Sequence, residues 1–139
     1  MPAKDKTHDL VRRLLESSGW RITHDPYSLK CGERDLTIDL GAQDVFAAES
    51  AGRKIAVEVK SFVGRSDMTE LEKAIGQIVI YRRLLRNKEP ERTLFLAIPS
   101  DVYERLLNNS AGREICDEAQ LNLLIYDGES EVLTQWIEL

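Results

Sequence analysis

Two β-type runs, DVFAAE at 44–49 and KIAVEVKSF at 54–62, lie on either side of a short SAG segment. Small, turn-forming residues between two such runs indicate an antiparallel hairpin. A continuous apolar run, TLFLAIP at 93–99, is typical of a central strand that is covered on both faces. A helix-periodic segment over 67–88 separates the hairpin from this run. A hairpin that leads through a helix to a buried strand predicts a mixed β-sheet with helices on both faces.

The remaining segments extend this pattern along the chain. Periodicity and turn signals predict helices at 5–18, 100–109 and around 111–118, strands at 20–24 and 34–40, and a final strand pair across Asp127-Gly128. The predicted order is therefore α-β-β-β-β-α-β-α-β-β. Because the chain contains no internal repeat or linker, we expect residues 1–139 to form a single domain with one core.

Composition narrows the class of protein. Hydrophobic residues make up 42% of the chain and charged residues 31%, as in globular proteins. No apolar run approaches the roughly 20 residues that cross a bilayer, and the charged start lacks the apolar centre of a secretory signal. We therefore expect a cytoplasmic protein without a membrane partner. Cys31 and Cys116 are isolated, which argues against a zinc site or a structural disulfide, and the net charge of −5 means that DNA binding would need a local basic face.

The second run of the hairpin carries charged side chains among apolar ones. Side chains alternate along a strand, so Glu58 and Lys60 share one face while the valines of the run point to the other. A turn centred on Ala51 would place Asp44 directly opposite Glu58. Two facing carboxylates repel each other, and a nearby cation would offset that repulsion. Either Lys60 supplies this charge in an ordinary ion pair, or a divalent metal does.

The oxygen atoms at this position would suit a hard metal ion. Two carboxylates and the backbone carbonyl of Val59 would form a site for Mg²⁺ or Mn²⁺. Asp39 is the rival of Asp44 as the second carboxylate, because Gly41 could mark a bulge that carries Asp39 toward the site. Both aspartates therefore remain candidates beside Glu58.

The helix after the hairpin contributes further polar side chains. Gln77 and Tyr81 lie one turn apart on one helix face. Gly76 stands in the middle of the helix, where glycine is unfavourable, so we expect it to serve close packing or a bound ligand.

The pattern of an aspartate, then E-x-K, then Q-x-x-x-Y resembles the PD-(D/E)xK nuclease superfamily, in particular its RecB-like branch. That resemblance implies a restriction-endonuclease-like αβββαβ core over residues 5–99, followed here by a C-terminal helix and β-hairpin. It further implies that Glu58 with Asp44 or Asp39 holds the metal. Lys60 would orient or activate the attacking water, and Gln77 would steady the substrate or the site.

Several longer segments resemble the cyanobacterial XisH family, the fdxN-element excision controlling factors. They span nearly the whole chain and are MPAKDKTHDLV, ITHDPY, IDLGA, IAVEVKSFVG, GQIVIYRRLL, ERTLFLAIP and the terminal LLIYD with VLTQW. The resemblance implies a role in developmentally programmed excision of a DNA element, beside a recombinase and a companion factor, XisI. The chain departs from the family pattern in GAQD, where an acid is expected at Gln43 and a basic residue at Asp44.

Two functions follow from these features: a Mg²⁺-dependent DNA endonuclease, or a catalytically silent regulatory subunit that binds DNA or a XisI-like partner. Either could act as a homo-oligomer. The candidate cations for a DNA backbone are Arg12, Arg13, Arg53, Lys54, Arg65, Arg82, Arg83 and Arg86.

Overall fold

The computed structural model describes residues 3–31, 34–35, 45–64 and 66–139, which form a mixed sheet flanked by helices. The strands are β1 (Arg21–His24), β2 (Lys30–Cys31), β3 (Arg34–Asp35), β4 (Val45–Ser50), β5 (Arg53–Val59), β6 (Thr93–Pro99), β7 (Leu123–Asp127) and β8 (Val132–Ile137). The helices are α1 (Ala3–Ser17), α2 (Asp67–Lys88), α3 (Ser100–Val102) and α4 (Ser110–Ala119), and a π-helical turn (Tyr103–Leu107) extends α3. Within the described part of the chain, no helix is both long and apolar enough to cross a bilayer.

The sheet has six strands in the order β1-β4-β5-β6-β7-β8. Strands β1, β4 and β5 pair antiparallel, β5, β6 and β7 pair parallel, and β8 returns antiparallel on β7. Helix α2 makes the crossover between β5 and β6, because parallel neighbours need a long connection. The prediction of a mixed sheet flanked by helices is confirmed.

The two faces of β5 pack against different helices. Its valines lie in an apolar cluster with Val11 and Leu15 of α1. On the other face, Ala56 lies in a cluster with Leu71, Ala74 and other residues of α2. The alternation predicted from the sequence is therefore correct, and Glu58 belongs to the face that α2 covers.

The turn of the β4–β5 hairpin is shorter than predicted. Ser50 pairs with Arg53, which leaves a two-residue loop of Ala51 and Gly52. Both loop residues have positive φ, 51° and 80°, as a type I′ turn requires. The shorter loop moves the register by one residue, so that Val45 lies opposite Glu58. The predicted pairing of Asp44 with Glu58 is therefore wrong, and Asp44 itself lies outside the described residues.

Most other elements match their predicted positions to within a few residues, and three segments need a separate account. Of the predicted strand at 34–40, residues 34–35 form β3, which pairs with β2 in a separate two-stranded ribbon, and residues 36–40 lie outside the described residues. The predicted helix at 100–109 is α3 followed by the π-helical turn. The final hairpin turns through residues 128–131, a wider loop than the predicted tight turn at Asp127-Gly128.

Candidate functional site

Glu58 and Lys60 form a buried ion pair at the end of β5. The Nζ atom of Lys60 lies 3.3 Å from Oε1 of Glu58, whose side chain is completely buried. The Lys60 side chain is 14% exposed, so the lysine reaches solvent while its partner does not. The buried charge of Glu58 is thus balanced within its own segment, as buried charges generally require.

The backbone holds Lys60 firmly at this position. Its N–H donates to the carbonyl of Ala97 at 2.9 Å, which continues the parallel pairing one residue past β5. Two residues later, Phe62 adopts φ 56°, a left-handed conformation that is rare for a bulky residue. The Phe62 ring is buried in the core beneath α2, and this packing stabilises the sharp exit of the chain from the strand.

The helix that covers Glu58 carries Gln77 and Tyr81. Tyr81 is fully buried among the apolar residues between α2 and the sheet. Gln77 is half-buried, and its side-chain oxygen is shielded from solvent, like both carboxylate oxygens of Glu58. The structure therefore brings Glu58, Lys60 and Gln77 to the same side of the sheet.

The described residues include only one of the carboxylates that the sequence predicts for a magnesium site. Glu58 offers one carboxylate beside the backbone of Val59, but Asp39 and Asp44 lie outside the described residues. Among the residues that the structure describes, no three acidic, histidine or cysteine side chains converge to hold a metal ion. Because Mg²⁺ needs several oxygen ligands, the fit of this site depends on Asp39 or Asp44 as a further ligand.

A cleft of about 700 Å³ opens at the carboxyl ends of β5, β6 and β7, next to Lys60. Its lining includes Lys6, Ser61, Ser100, Tyr126 and the acidic residues Asp101, Glu104, Asp127 and Glu129. The excess of carboxylates makes this wall unfavourable for a phosphate backbone. The cleft was not predicted from the sequence, although ligands commonly bind beyond the carboxyl ends of parallel strands, which is where it lies.

Most of the described cations proposed for DNA binding contact other groups of the chain. Arg12 pairs with Asp25, Arg13 with Glu131, Arg53 with Glu138, and Lys54 with Glu89 and Glu91. Arg82 donates to the carbonyls of Ala119 and Gln120 at the end of α4. Arg83 and Arg86 are exposed on α2, and Arg65 lies outside the described residues. The role of these cations in DNA binding stays a prediction.

A second buried charged group lies at the opposite end of β5 and was not predicted. The Arg92 side chain is 2% exposed; it donates to the carbonyl of Ile55 at 2.9 Å and pairs with Glu89 at 3.0 Å. The hydroxyl of Tyr27 also donates to Glu89, and the guanidinium lies over the Tyr27 ring. Hydrogen bonding from Arg92 lowers the pKa of Glu89, whereas burial raises the pKa of Tyr27. This network ties Tyr27, Glu89 and Arg92 to the backbone of β5.

A model of the XisH protein family matches residues 1–134. The crystal structure of an XisH family protein from Nostoc punctiforme PCC 73102 is 41% identical, with a TM-score of 0.86, over 95% of this chain and 98% of that chain. The crystal structure of an fdxN element excision controlling factor protein from Anabaena variabilis is also 41% identical, with a TM-score of 0.87, over 96% of this chain and 99% of that chain. No curated protein matches the chain.

Proposed function

We propose a function from the premise that the chain belongs to the XisH family. The protein is an excision controlling factor whose fold is that of a PD-(D/E)xK nuclease. It hydrolyses DNA phosphodiester bonds with Mg²⁺ during removal of a DNA element. The observation that carries this proposal is the buried Glu58–Lys60 pair at the end of β5.

The order of elements supports a restriction-endonuclease-like core. Leaving aside the small ribbon, the chain runs through α1, β1, β4, β5, α2 and β6, which is the αβββαβ order of that superfamily. The E-x-K pair lies at the end of the third sheet strand, and Gln77 lies on the helix that follows. This agreement between motif and topology is more specific than either feature alone.

The residues of the site have distinct roles in the proposed reaction. Glu58, the carbonyl of Val59 and either Asp44 or Asp39 would hold the metal, which would supply Lewis-acid chemistry for the phosphoryl group and for a bound water. The Lys60 ammonium orients the attacking water and stabilises the negative charge that develops on the phosphoryl oxygens. Gln77 steadies these groups from α2.

A second function, a catalytically silent regulatory subunit, is favoured by the charges around the site. Lys60 already balances Glu58, and the neighbouring cleft is lined with carboxylates. In this alternative the fold binds DNA or a XisI-like partner, and a site-specific recombinase performs the strand cleavage. The Glu58–Lys60 pair then serves stability alone.

The decisive experiment is a nicking assay on supercoiled DNA with Mg²⁺, Mn²⁺ or EDTA. For the nuclease we expect metal-dependent nicking that falls at least about a hundredfold in Glu58→Gln and in Lys60→Met. Glu91→Gln, which changes an exposed carboxylate, is the matched control and should retain activity. Circular dichroism of each variant separates loss of chemistry from loss of folding.

Binding of Mn²⁺ to the unmodified protein, followed by electron paramagnetic resonance, distinguishes the two functions independently of turnover. A nuclease binds the ion, and Glu58→Gln weakens that binding. If wild-type protein neither nicks DNA nor binds Mn²⁺, the nuclease proposal fails. Stable co-purification with a XisI-like protein, unchanged in Lys60→Met, would then support the regulatory function.

A further inference from the structure

The outer face of α2 carries an exposed stripe formed by Glu72, Gly76, Val79 and Arg83. Successive members are separated by four, three and four positions, so they lie along one side of the helix. Val79 is 46% exposed, and Ile80 beside it is 44% exposed. The stripe thus has an apolar centre, an acidic side chain toward the start of the helix and a basic one toward its end.

Gly76 has no role in packing within the described part of the chain. It is exposed, and a Cβ atom added there would meet no heavy atom within 4 Å. Of the two expectations for Gly76, close packing is therefore wrong within the described residues, and a bound ligand stays a prediction. Because glycine weakens a helix interior, its presence needs another reason, and close approach of a second backbone from outside is one that only glycine permits.

The intervals between the residues of the stripe, four, three and four positions, are the same when they are counted from either end. An antiparallel copy of α2, related by a two-fold axis near the middle of the stripe, therefore places Glu72 opposite Arg83 and Gly76 opposite Val79. Each isopropyl group of Val79 enters the notch above the other copy's glycine. The two-fold axis repeats both contacts, as an isologous interface requires.

We propose that this stripe is a two-fold interface between two copies of the chain. Charge complementarity selects the partner, because opposite charges meet at both ends of the contact. Displacing the second helix by one position would bring Lys73 against Arg83, two like charges, so the register is specified as well.

The size of the stripe indicates a weak, reversible dimer. From Glu72 to Arg83 the helix rises about 16 Å. A contact of this length along one helix buries less surface than the interface of a permanent dimer. We therefore expect a monomer–dimer equilibrium that depends on protein concentration and weakens when salt screens the charges at the ends of the stripe.

Charge exchange tests this arrangement directly by analytical ultracentrifugation of the full chain from about 1 µM to about 1 mM. Glu72→Arg and Arg83→Glu should each weaken dimerisation about tenfold or more, and the double variant should restore it. Gly76→Leu should also weaken the dimer, because its side chain fills the notch. Glu114→Arg, an exposed change on α4, is the matched control and should leave the equilibrium unchanged.

A wild-type chain that stays monomeric throughout this range would overturn the proposal. A dimer that is insensitive to both charge reversals, or that the double variant fails to restore, would overturn it too. Binding of a XisI-like protein that depends on Glu72, in a chain that does not self-associate, would assign the stripe to that partner instead. None of these results depends on nuclease activity, so the interface and the proposed function fail separately.

Discussion

The Lys60 ammonium group lies 3.3 Å from the fully buried Glu58 carboxylate. Removing one member of a buried ion pair takes a nearby opposite charge away from the other member. Lys60→Met should therefore lower the free energy of unfolding by on the order of 3 kcal/mol. The double variant Glu58→Gln/Lys60→Met should recover most of that loss. Urea unfolding followed by circular dichroism measures both effects.

Lys54→Met is the control for this comparison, because Lys54 belongs to exposed surface pairs. Its effect should remain below about 1 kcal/mol. Equal losses in the single and double Lys60 variants would contradict a compensating role for the pair.

The ionisation of Glu89 makes the free energy of unfolding depend on pH in the acidic range. Hydrogen bonding from Arg92 and then from Tyr27 lowers the pKa of Glu89 below its usual value of 4.5. The folded state therefore releases this proton more readily than the unfolded state, so the stabilisation is present above pH 4.5 and is lost as the pH falls below it. In Glu89→Gln, the free energy of unfolding should depend less steeply on pH in this acidic range. Urea titrations at a series of pH values measure the slope.

Glu91→Gln, two residues further along the chain, should retain the wild-type slope in these titrations. A Glu89→Gln variant whose slope equals that of wild type would show that other carboxylates control the acid sensitivity.

Two helical glycines should respond to alanine in opposite directions. Gly76→Ala meets no neighbour, so the better helix propensity of alanine should raise the free energy of unfolding by about 0.5–1 kcal/mol. A Cβ atom at Gly112 would lie 2.4 Å from the carbonyl oxygen of Leu107, so Gly112→Ala should cost about 1–3 kcal/mol. Thermal and urea unfolding of the two variants provide the test, and effects of the same sign would contradict it.

The β4–β5 turn can be stabilised without touching the site. Ala51 occupies a positive φ that asparagine tolerates better, and Asn-Gly is a preferred pair for type I′ turns. Ala51→Asn should raise the free energy of unfolding by about 0.5–1 kcal/mol, measured by urea unfolding. Gly52→Ala, which forces a side chain into φ 80°, should lower it. Loss of stability in Ala51→Asn would indicate that the turn is not of this type.

Segments with strong local signals were predicted accurately. Helix α2 and strand β6 have the predicted bounds, 67–88 and 93–99, because each has a strong local signal and a defined start. Ser66 caps α2 by accepting the N–H of Thr69, and a continuous apolar run marks β6. The placement of Glu58 and Lys60 on one face followed from strand alternation alone.

The errors arose where the outcome depends on rare conformations or on distant contacts. An alanine at positive φ is uncommon, so the sequence did not indicate a two-residue loop of Ala51 and Gly52. The predicted partner of Glu58 was therefore wrong by one residue, Asp44 in place of Val45. Arg92 is buried only because Tyr27, Glu89 and the carbonyl of Ile55 converge on it from separate segments. No local pattern reports such a convergence.

The hydrogen bond from the Lys60 amide to the carbonyl of Ala97 determines when the Glu58–Lys60 site can form during folding. Ala97 lies beyond the whole of α2, so a nascent chain cannot fix the position of Lys60 until β6 has left the ribosome and paired with β5. Before then the β4–β5 hairpin has no parallel partner strand, and the Glu58 side chain cannot be buried in the core. Amide hydrogen exchange at Lys60 should consequently follow opening of the central strands rather than fraying of the nearby loop.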